Sequence, residues 1–474
     1  MNKILAFCLV TSITLLTGCN SPFGSNPAQT YTVGGTTSGL AGDGLVLQNN
    51  GGDDLPVAGV TFEFETLLLN GGSYAVTVLA QPTGQSCDLG NGSGTISAAN
   101  VTDVLVTCRG WGTAELVETD TSRALSPEIG VDDAGNAIAV WKQRNGGKGF
   151  FSIYGNRYTA GSGWGTAVLL ETDDTGAVAA QRLAVDAAGN AIAVWEQQTS
   201  TTKNFNIYSN RYTAGSGWGG AEPVGSADSG NANDPQIATD AAGDAIAVWS
   251  ESDGATVNIM SNRYIAGSGW GATAVPIDTD PGQAVTPQIS VDATGNAIAV
   301  WQQRDGANFN IMSNYYTAGS GWGMTAELIE TEDGIARTPQ ISFDESGNAL
   351  AIWEQDVGAN KNIWSNRYTA GSGWGTAELI ENDNTGDASE PQIAADAAGN
   401  ATVVWSQSGG ARVNIMSNHY TAGSGWGTAE LIENDDTGDA ATPQIAADAA
   451  GNATAVWSQF EAASVDSIWS NRFE

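Results

Sequence analysis

Cations are scarce in this chain, so the few that stand outside its repeated motifs are the first candidates for contact with a ligand. Lys and Arg number 17 against 52 Asp and Glu, a formal net charge of -35. Seven of the cations are candidate ligand-binding residues: Arg144, Arg304, Lys361, Arg412, Arg123, Arg182 and Arg337. A guanidinium that is free of other duties binds an anionic or polyhydroxylated group through paired hydrogen bonds. The first four recur at one place between two apolar runs and are expected to form the tightest grouping. With Lys142, Lys148 and Lys203 the set reaches ten, all mapping to variable connecting segments or their edges. The competing reading is that these cations neutralise the acidic loops beside them.

Covalent and acid–base chemistry is not announced. His419 is the single His, so no His-based dyad exists, and no His/Cys zinc set can form. A glycosidase needs two placed carboxylates, and the acids are too many for the sequence to choose a pair. No catalytic residue and no metal ligand is assigned. Stretches such as Glu381-Asn382-Asp383-Asn384-Thr385-Gly386-Asp387 and Glu433-Asn434-Asp435-Asp436-Thr437-Gly438-Asp439 carry oxygen ligands of the kind that Ca²⁺ takes. Their spacing matches neither the EF-hand nor the nonapeptide calcium repeat. They read as solvated acidic turns, and no cofactor is expected. Strong negative charge argues against nucleic acid, whose affinity comes largely from Lys and Arg on phosphates.

What positions these residues is a repeat. The stretch Asp186-Ala187-Ala188-Gly189-Asn190-Ala191-Ile192-Ala193-Val194-Trp195 recurs seven times, its Trp falling at 141, 195, 249, 301, 353, 405 and 457. Such a period means a repeat architecture. Each unit predicts four strands, a to d, here Pro391–Asp396, Ala401–Gln407, Asn414–Tyr420 and Trp426–Ile432. No segment has a helical period, and Gly punctuates every connection. Strand b is apolar on both faces and should be covered on both sides. The region opens on a lone strand d from Trp111 and ends on a strand c at Phe473. A seven-bladed β-propeller over residues 110–474, closed by pairing its first strand with its last, satisfies the pattern.

Residues repeated in every blade are read as packing. The Asp and Gly of the lead motif suit a turn between strands a and b. A second Trp series (164, 218, 270, 322, 374, 426) buries large area. The Arg of the strand-c motif Ser-Asn-Arg-Tyr is expected to pair with a neighbouring blade's Asp or to stack on a Trp. His419 stands where other copies carry Arg and reads as a surface variant. The lead motif resembles the Asp box of sialidase-like propellers, with one extra residue between Asp and Gly. That resemblance, and a looser one to lectin-like propellers, implies the fold and not an activity.

Residues 1–18 carry Lys3 near the start and then an apolar run, and they lead into Cys19 through Leu16-Thr17-Gly18. The run is too short to span a bilayer comfortably and reads as a signal peptide. The four residues resemble the lipobox of bacterial lipoproteins, which implies lipidation at Cys19. Asn20 follows, and on the sorting rule of enteric bacteria the outer membrane is favoured. Residues 19–28 read as a tether. Residues 29–108 alternate short β runs with Asn-Gly turns and predict a small Ig-like β-sandwich. After export Cys87 and Cys108 remain, and an oxidising compartment makes a disulfide the default.

The function expected from sequence is a non-catalytic binding module at the cell envelope. It would bind a glycan or an envelope protein through the variable propeller face, as a monomer held to the membrane by its lipid alone. A sialidase-like or lyase-like polysaccharide-degrading enzyme and an outer-membrane assembly scaffold are the alternatives.

Overall fold

The computed structural model describes residues 29–83, 85–110, 116–118, 122–144, 149–172, 176–199, 203–225, 230–306, 308–331, 333–381, 386–409, 412–433, 438–448, 451–461 and 465–473. The expected signal peptide, Cys19 and the expected tether lie outside these residues, as do Trp111 to Glu115 of the expected closing strand. The described residues are all β, and the chain divides into two units at Leu116 and Val117.

In the first unit, two four-stranded sheets share one core. One sheet runs Thr61–Glu63, Val33–Ser38, Val101–Gly110, Gln85–Gly90, its middle pair parallel. The other runs Asp53–Pro56, Val46–Asn49, Ser73–Ala80, Ser93–Thr95. Val33, Leu47, Phe64, Val104 and Val106 are buried between them. Cys87 and Cys108 are disulfide-bonded cross-strand partners within the first sheet. This bridge staples neighbouring strands, whereas the immunoglobulin bridge joins two sheets.

Among its described residues the second unit contains seven antiparallel sheets, the blades of an all-β propeller. Strands a are Ala124–Val131, Val178–Val185, Asn231–Thr239, Ala284–Val291, Ala336–Phe343, Ala388–Ala395 and Ala440–Ala447. Strands a of successive blades touch, which makes them the inner strands. Strand b explains why the blades stack. Along Ala191–Gln198, Ala191, Ala193 and Trp195 meet Ile138 and Val140 of the preceding blade. Ile192 and Val194, on the other face, meet Ala245, Ala247 and Trp249 of the next. Small residues on one face thus admit branched ones from the neighbour, and a fully buried Trp fills the remainder. Full burial of each large side chain contributes about 1.5–3 kcal/mol. Each of these indoles also donates to the side chain two residues on, as from Trp301 Nε1 to Gln303 Oε1 at 2.9 Å.

Two details differ from the expected strands. Strand d is broken into Gly425–Trp426 and Glu430–Leu431; Gly427 still donates to the His419 carbonyl at 2.8 Å, and the break falls at Thr428-Ala429. Strand a begins earlier than Pro391 and carries a bulge. Ser126, Ala180, Asp234, Thr286, Thr338, Glu390 and Thr442 have φ between 45° and 57°. An isolated non-glycine residue there is strained and rotates its N–H out of the ladder. In six blades the next residue is Pro, which has no N–H to lose.

The seventh sheet has three strands among the described residues, ending with Val465–Phe473. On blade 1 the inner-strand residues Ile129 and Val131 are 62% and 60% exposed. Their counterparts Leu183 and Val185 pack on the preceding blade.

Candidate functional site

The repeated polar residues lock blades together. Asp132 Oδ1 accepts from the amides of Ala134 at 3.0 Å and Asn136 at 2.8 Å, and Oδ2 accepts from Asn136 Nδ2 at 2.8 Å. Burial opposes ionisation of Asp132, but these bonds outweigh it and hold the carboxyl below its ordinary pKa. The same carboxylate lies against Gly189 of the next blade, whose φ is +79°. The lead-motif Asp therefore serves its own turn and the next blade's turn at once.

The strand-c Arg stacks on the next blade's Tyr, not on a Trp, and pairs with an acid of its own blade. Arg157 and Arg367 lie over Tyr212 and Tyr420 and donate to their hydroxyls at 2.8 Å each. Their other contacts are Asp132 and Asp344 at 3.8 Å. Arg263 instead meets Asp244 at 2.6 Å. Where Tyr315 replaces Arg it stacks on Tyr368 at 5.2 Å, and burial pushes its hydroxyl up to about 12, with Tyr368 and Asp292 adding. His419 is half-buried and stacked on Phe473 at 4.6 Å, and burial lowers its pKa. It is a packing member of the series, which corrects its reading as a surface variant.

What differs between blades gathers on strands a and b near the b–c connections. The bulged strand-a residue turns its N–H toward the preceding blade. Glu196 Oε1 accepts it from Asp234 at 2.8 Å, Glu354 Oε1 from Glu390 at 2.8 Å, and Glu390 Oε2 from Thr442 at 2.9 Å. Arg182 Nη1 meets Glu128 Oε1 of the preceding blade at 3.2 Å. Burial raises the pKa of Glu196, opposed by the bond from the Asp234 amide and by the charges of Arg182 and Lys142, while the Asp234 charge adds to it. Glu128 is likewise raised by burial against Arg182. In blade 5 Arg337 Nη1 meets both oxygens of Asp356 at 3.0 and 3.1 Å, and Lys361 Nζ meets Glu354 at 3.8 Å.

Two charged groups result. Glu128, Lys142, Arg182, Glu196 and Asp234 span blades 1 to 3, and Arg337, Glu354, Asp356, Lys361 and Glu390 span blades 5 and 6. Blade 4 carries a neutral contact instead, from Gln302 to Thr286.

The seven sequence candidates divide accordingly. Arg182, Arg337 and Lys361 belong to the two groups, Arg182 and Arg337 from strand a itself. Arg144 lies over Phe151 with 5.5 Å to the ring centroid, and its amide donates to the Arg123 carbonyl at 3.0 Å. Arg304 donates to the Gly306 carbonyl at 3.2 Å. Arg412 is exposed opposite Gly409. Arg144, Arg304, Lys361 and Arg412 are not structurally equivalent. The first two stand on strand b three residues past its Trp, and the other two on strand c. The acids that complete the groups were missed. For Glu196 and Glu354 the signal was the position directly after the invariant Trp, which reads Lys142, Glu196, Ser250, Gln302, Glu354, Ser406 and Ser458.

No family model matches the chain, and no curated protein matches it. Solved structures resemble it at low identity. A polysaccharide lyase described as a PL25 ulvan lyase has a TM-score of 0.48 at 9% identity, covering 75% of this chain and 92% of its own. A leech intramolecular trans-sialidase has a TM-score of 0.40 at 10% identity, covering 94% and 93%. A protein of unknown function from Dyadobacter fermentans has a TM-score of 0.42 at 11% identity, covering 64% and 96%. At this distance no residue role passes from them to this chain.

Proposed function

We propose that this chain is an exported, lipid-anchored binding protein that holds a glycan, without catalysis, at the b–c end of its inner strands. The supporting observation is a contrast: the residues that join blades repeat, while the charged groups around Arg182 and Arg337 do not. In both groups the cations oppose carboxylates, as Arg182–Glu128 and Arg337–Asp356 do. Fixed donors and acceptors side by side suit a sugar's hydroxyls, which both donate and accept. A soluble fragment of residues 29–474 screened on a glycan array tests the reading. Arg182→Ala and Arg337→Ala, at matched folding, are expected to weaken capture, each by roughly tenfold for one lost charge-assisted bond. Unchanged capture by both variants removes the site.

One observation favours an enzyme as the second reading. Glu128 and Glu196 both have pKa values raised by burial, and both interact with Arg182, a pattern that general acid–base catalysis uses. Release of sugar from a polysaccharide panel, abolished by Glu196→Gln, would establish it. Binding without release supports the first reading. For the anchor, Cys19→Ser should abolish labelling by a palmitate analogue together with membrane association. Persistence of both refutes lipidation.

A further inference from the structure

The inner strands carry a repeated polar residue that the packing does not use. Opposite the strand-b residue directly before the invariant Trp, strands a of blades 3 to 7 present Gln236, Gln288, Gln340, Gln392 and Gln444. Blades 1 and 2 place Glu128 and Arg182 at the same register. The fold therefore accepts an acid or a guanidinium there, and nothing in the ladder calls for an amide. Side chains at this register reach from blade to blade, as the 3.2 Å contact between Arg182 and Glu128 shows.

Other repeated glutamines are employed in the packing. Gln303 Oε1 accepts from the Trp301 indole at 2.9 Å, and Gln407 Oε1 from that of Trp405 at 3.0 Å. The five on strands a make no side-chain hydrogen bond among the described residues. They are half-buried in blades 3 to 6 and exposed in blade 7. Each carboxamide carries two donors and an acceptor with no net charge. The inner strands thus hold a row of uncharged, unengaged hydrogen-bonding groups, with the Arg182–Glu128 pair at its head.

Charge then selects the class of ligand. The two charged groups at the b–c end hold six carboxyl groups against four cations, in a chain of net charge -35. Their guanidinium groups are occupied, Arg182 by Glu128 and Arg337 by both oxygens of Asp356. An anionic sugar would have to displace those carboxylates and enter surroundings of its own sign. An uncharged sugar leaves the ion pairs intact and desolvates no charge.

We propose that the glutamine row binds an uncharged, hydroxyl-rich glycan and that the protein discriminates against uronic, sialic and sulfated sugars. This rests on the glycan reading above and narrows it. The carboxamides of Gln236, Gln288, Gln340 and Gln392 exchange water for sugar hydroxyls, which both donate and accept.

The test uses the full chain in a detergent without a sugar headgroup. Capture is measured on immobilised mannan, galactan and β-glucan, and on polygalacturonate, polysialate and a sulfated galactan, at low and at high salt. Capture is expected on at least one neutral polymer and on none of the anionic ones. It should be insensitive to salt, since no charge pairing is screened. Gln288→Ala/Gln340→Ala should weaken it about tenfold, for two lost neutral hydrogen bonds, with the unfolding midpoint of the parent. Anionic capture as tight as neutral capture, or neutral capture that the double variant keeps in full, overturns this inference and leaves the glycan reading standing. Capture of none of these polymers removes the glycan reading and this inference with it.

Discussion

Gly189→Ala isolates the contact between one blade's Asp and the next blade's turn. Gly189 has φ +79°, and an added Cβ would lie 2.5 Å from Asp132 Oδ2. Gly215 has φ +77° with nothing within 4 Å. Both substitutions put an L side chain in the left-handed region, at about 1–2 kcal/mol. Gly189→Ala also forces overlap, at about 1–3 kcal/mol. Relief by moving Asp132 weakens its bonds to Ala134 and Asn136. The expected losses are about 2–5 kcal/mol for Gly189→Ala and about 1–2 kcal/mol for Gly215→Ala. Fifteen of the sixteen tryptophans lie in the second unit, the exception being Trp111, so indole fluorescence during denaturant unfolding follows mainly the repeats. Asp132→Ala, which removes the obstacle, should make Gly189→Ala cost what Gly215→Ala costs. Equal losses for the two glycines in the parent background would refute the inter-blade role of the Asp.

The remaining predictions concern charge, stacking and the disulfide. Glu196 has a raised folded pKa, so its contribution worsens as pH climbs past its unfolded value near 4.5. Glu196→Gln keeps an acceptor for the Asp234 amide, so it should gain on the parent in melting temperature between pH 4 and pH 7, and a pH-independent difference would contradict this. Arg367→Lys keeps the charge but loses the flat contact and the bond to Tyr420. It should cost about 1 kcal/mol in the same denaturant assay, and a neutral result would assign the contact to crowding alone. Reducing Cys87–Cys108, which closes a loop of sequence separation 21, should cost the first unit about 3 kcal/mol. Hydrogen exchange in that unit reads the loss, and unchanged protection would refute it.

The sequence by itself determined the repeat, the all-β class and the order of strands. Ala-Ile-Ala-Val-Trp alternates small and large residues with period two, and only a strand covered on both faces uses that pattern. It also pointed to the Cys87–Cys108 pair, since on the signal-peptide reading these are the two cysteines that remain free to pair. Tertiary structure decided what the repeated polar residues touch. Nothing local links Asp132 to Gly189 or Arg157 to Tyr212, since those partners belong to successive blades and meet only when strands a stack. The bulge was half legible, as Pro inside a strand marks one, but the N–H it turns toward Glu196 or Glu354 became visible only between blades. The candidate site followed the same rule. Arg182, Arg337 and Lys361 could be named from their scarcity, while Glu128 and Asp356 could not, being lost among 52 acids. Burial made the last distinction. Glu330 and Asp333 are both acids of one turn in the sequence, and only burial in the fold separates them, Glu330 being 7% exposed and Asp333 lying at the surface.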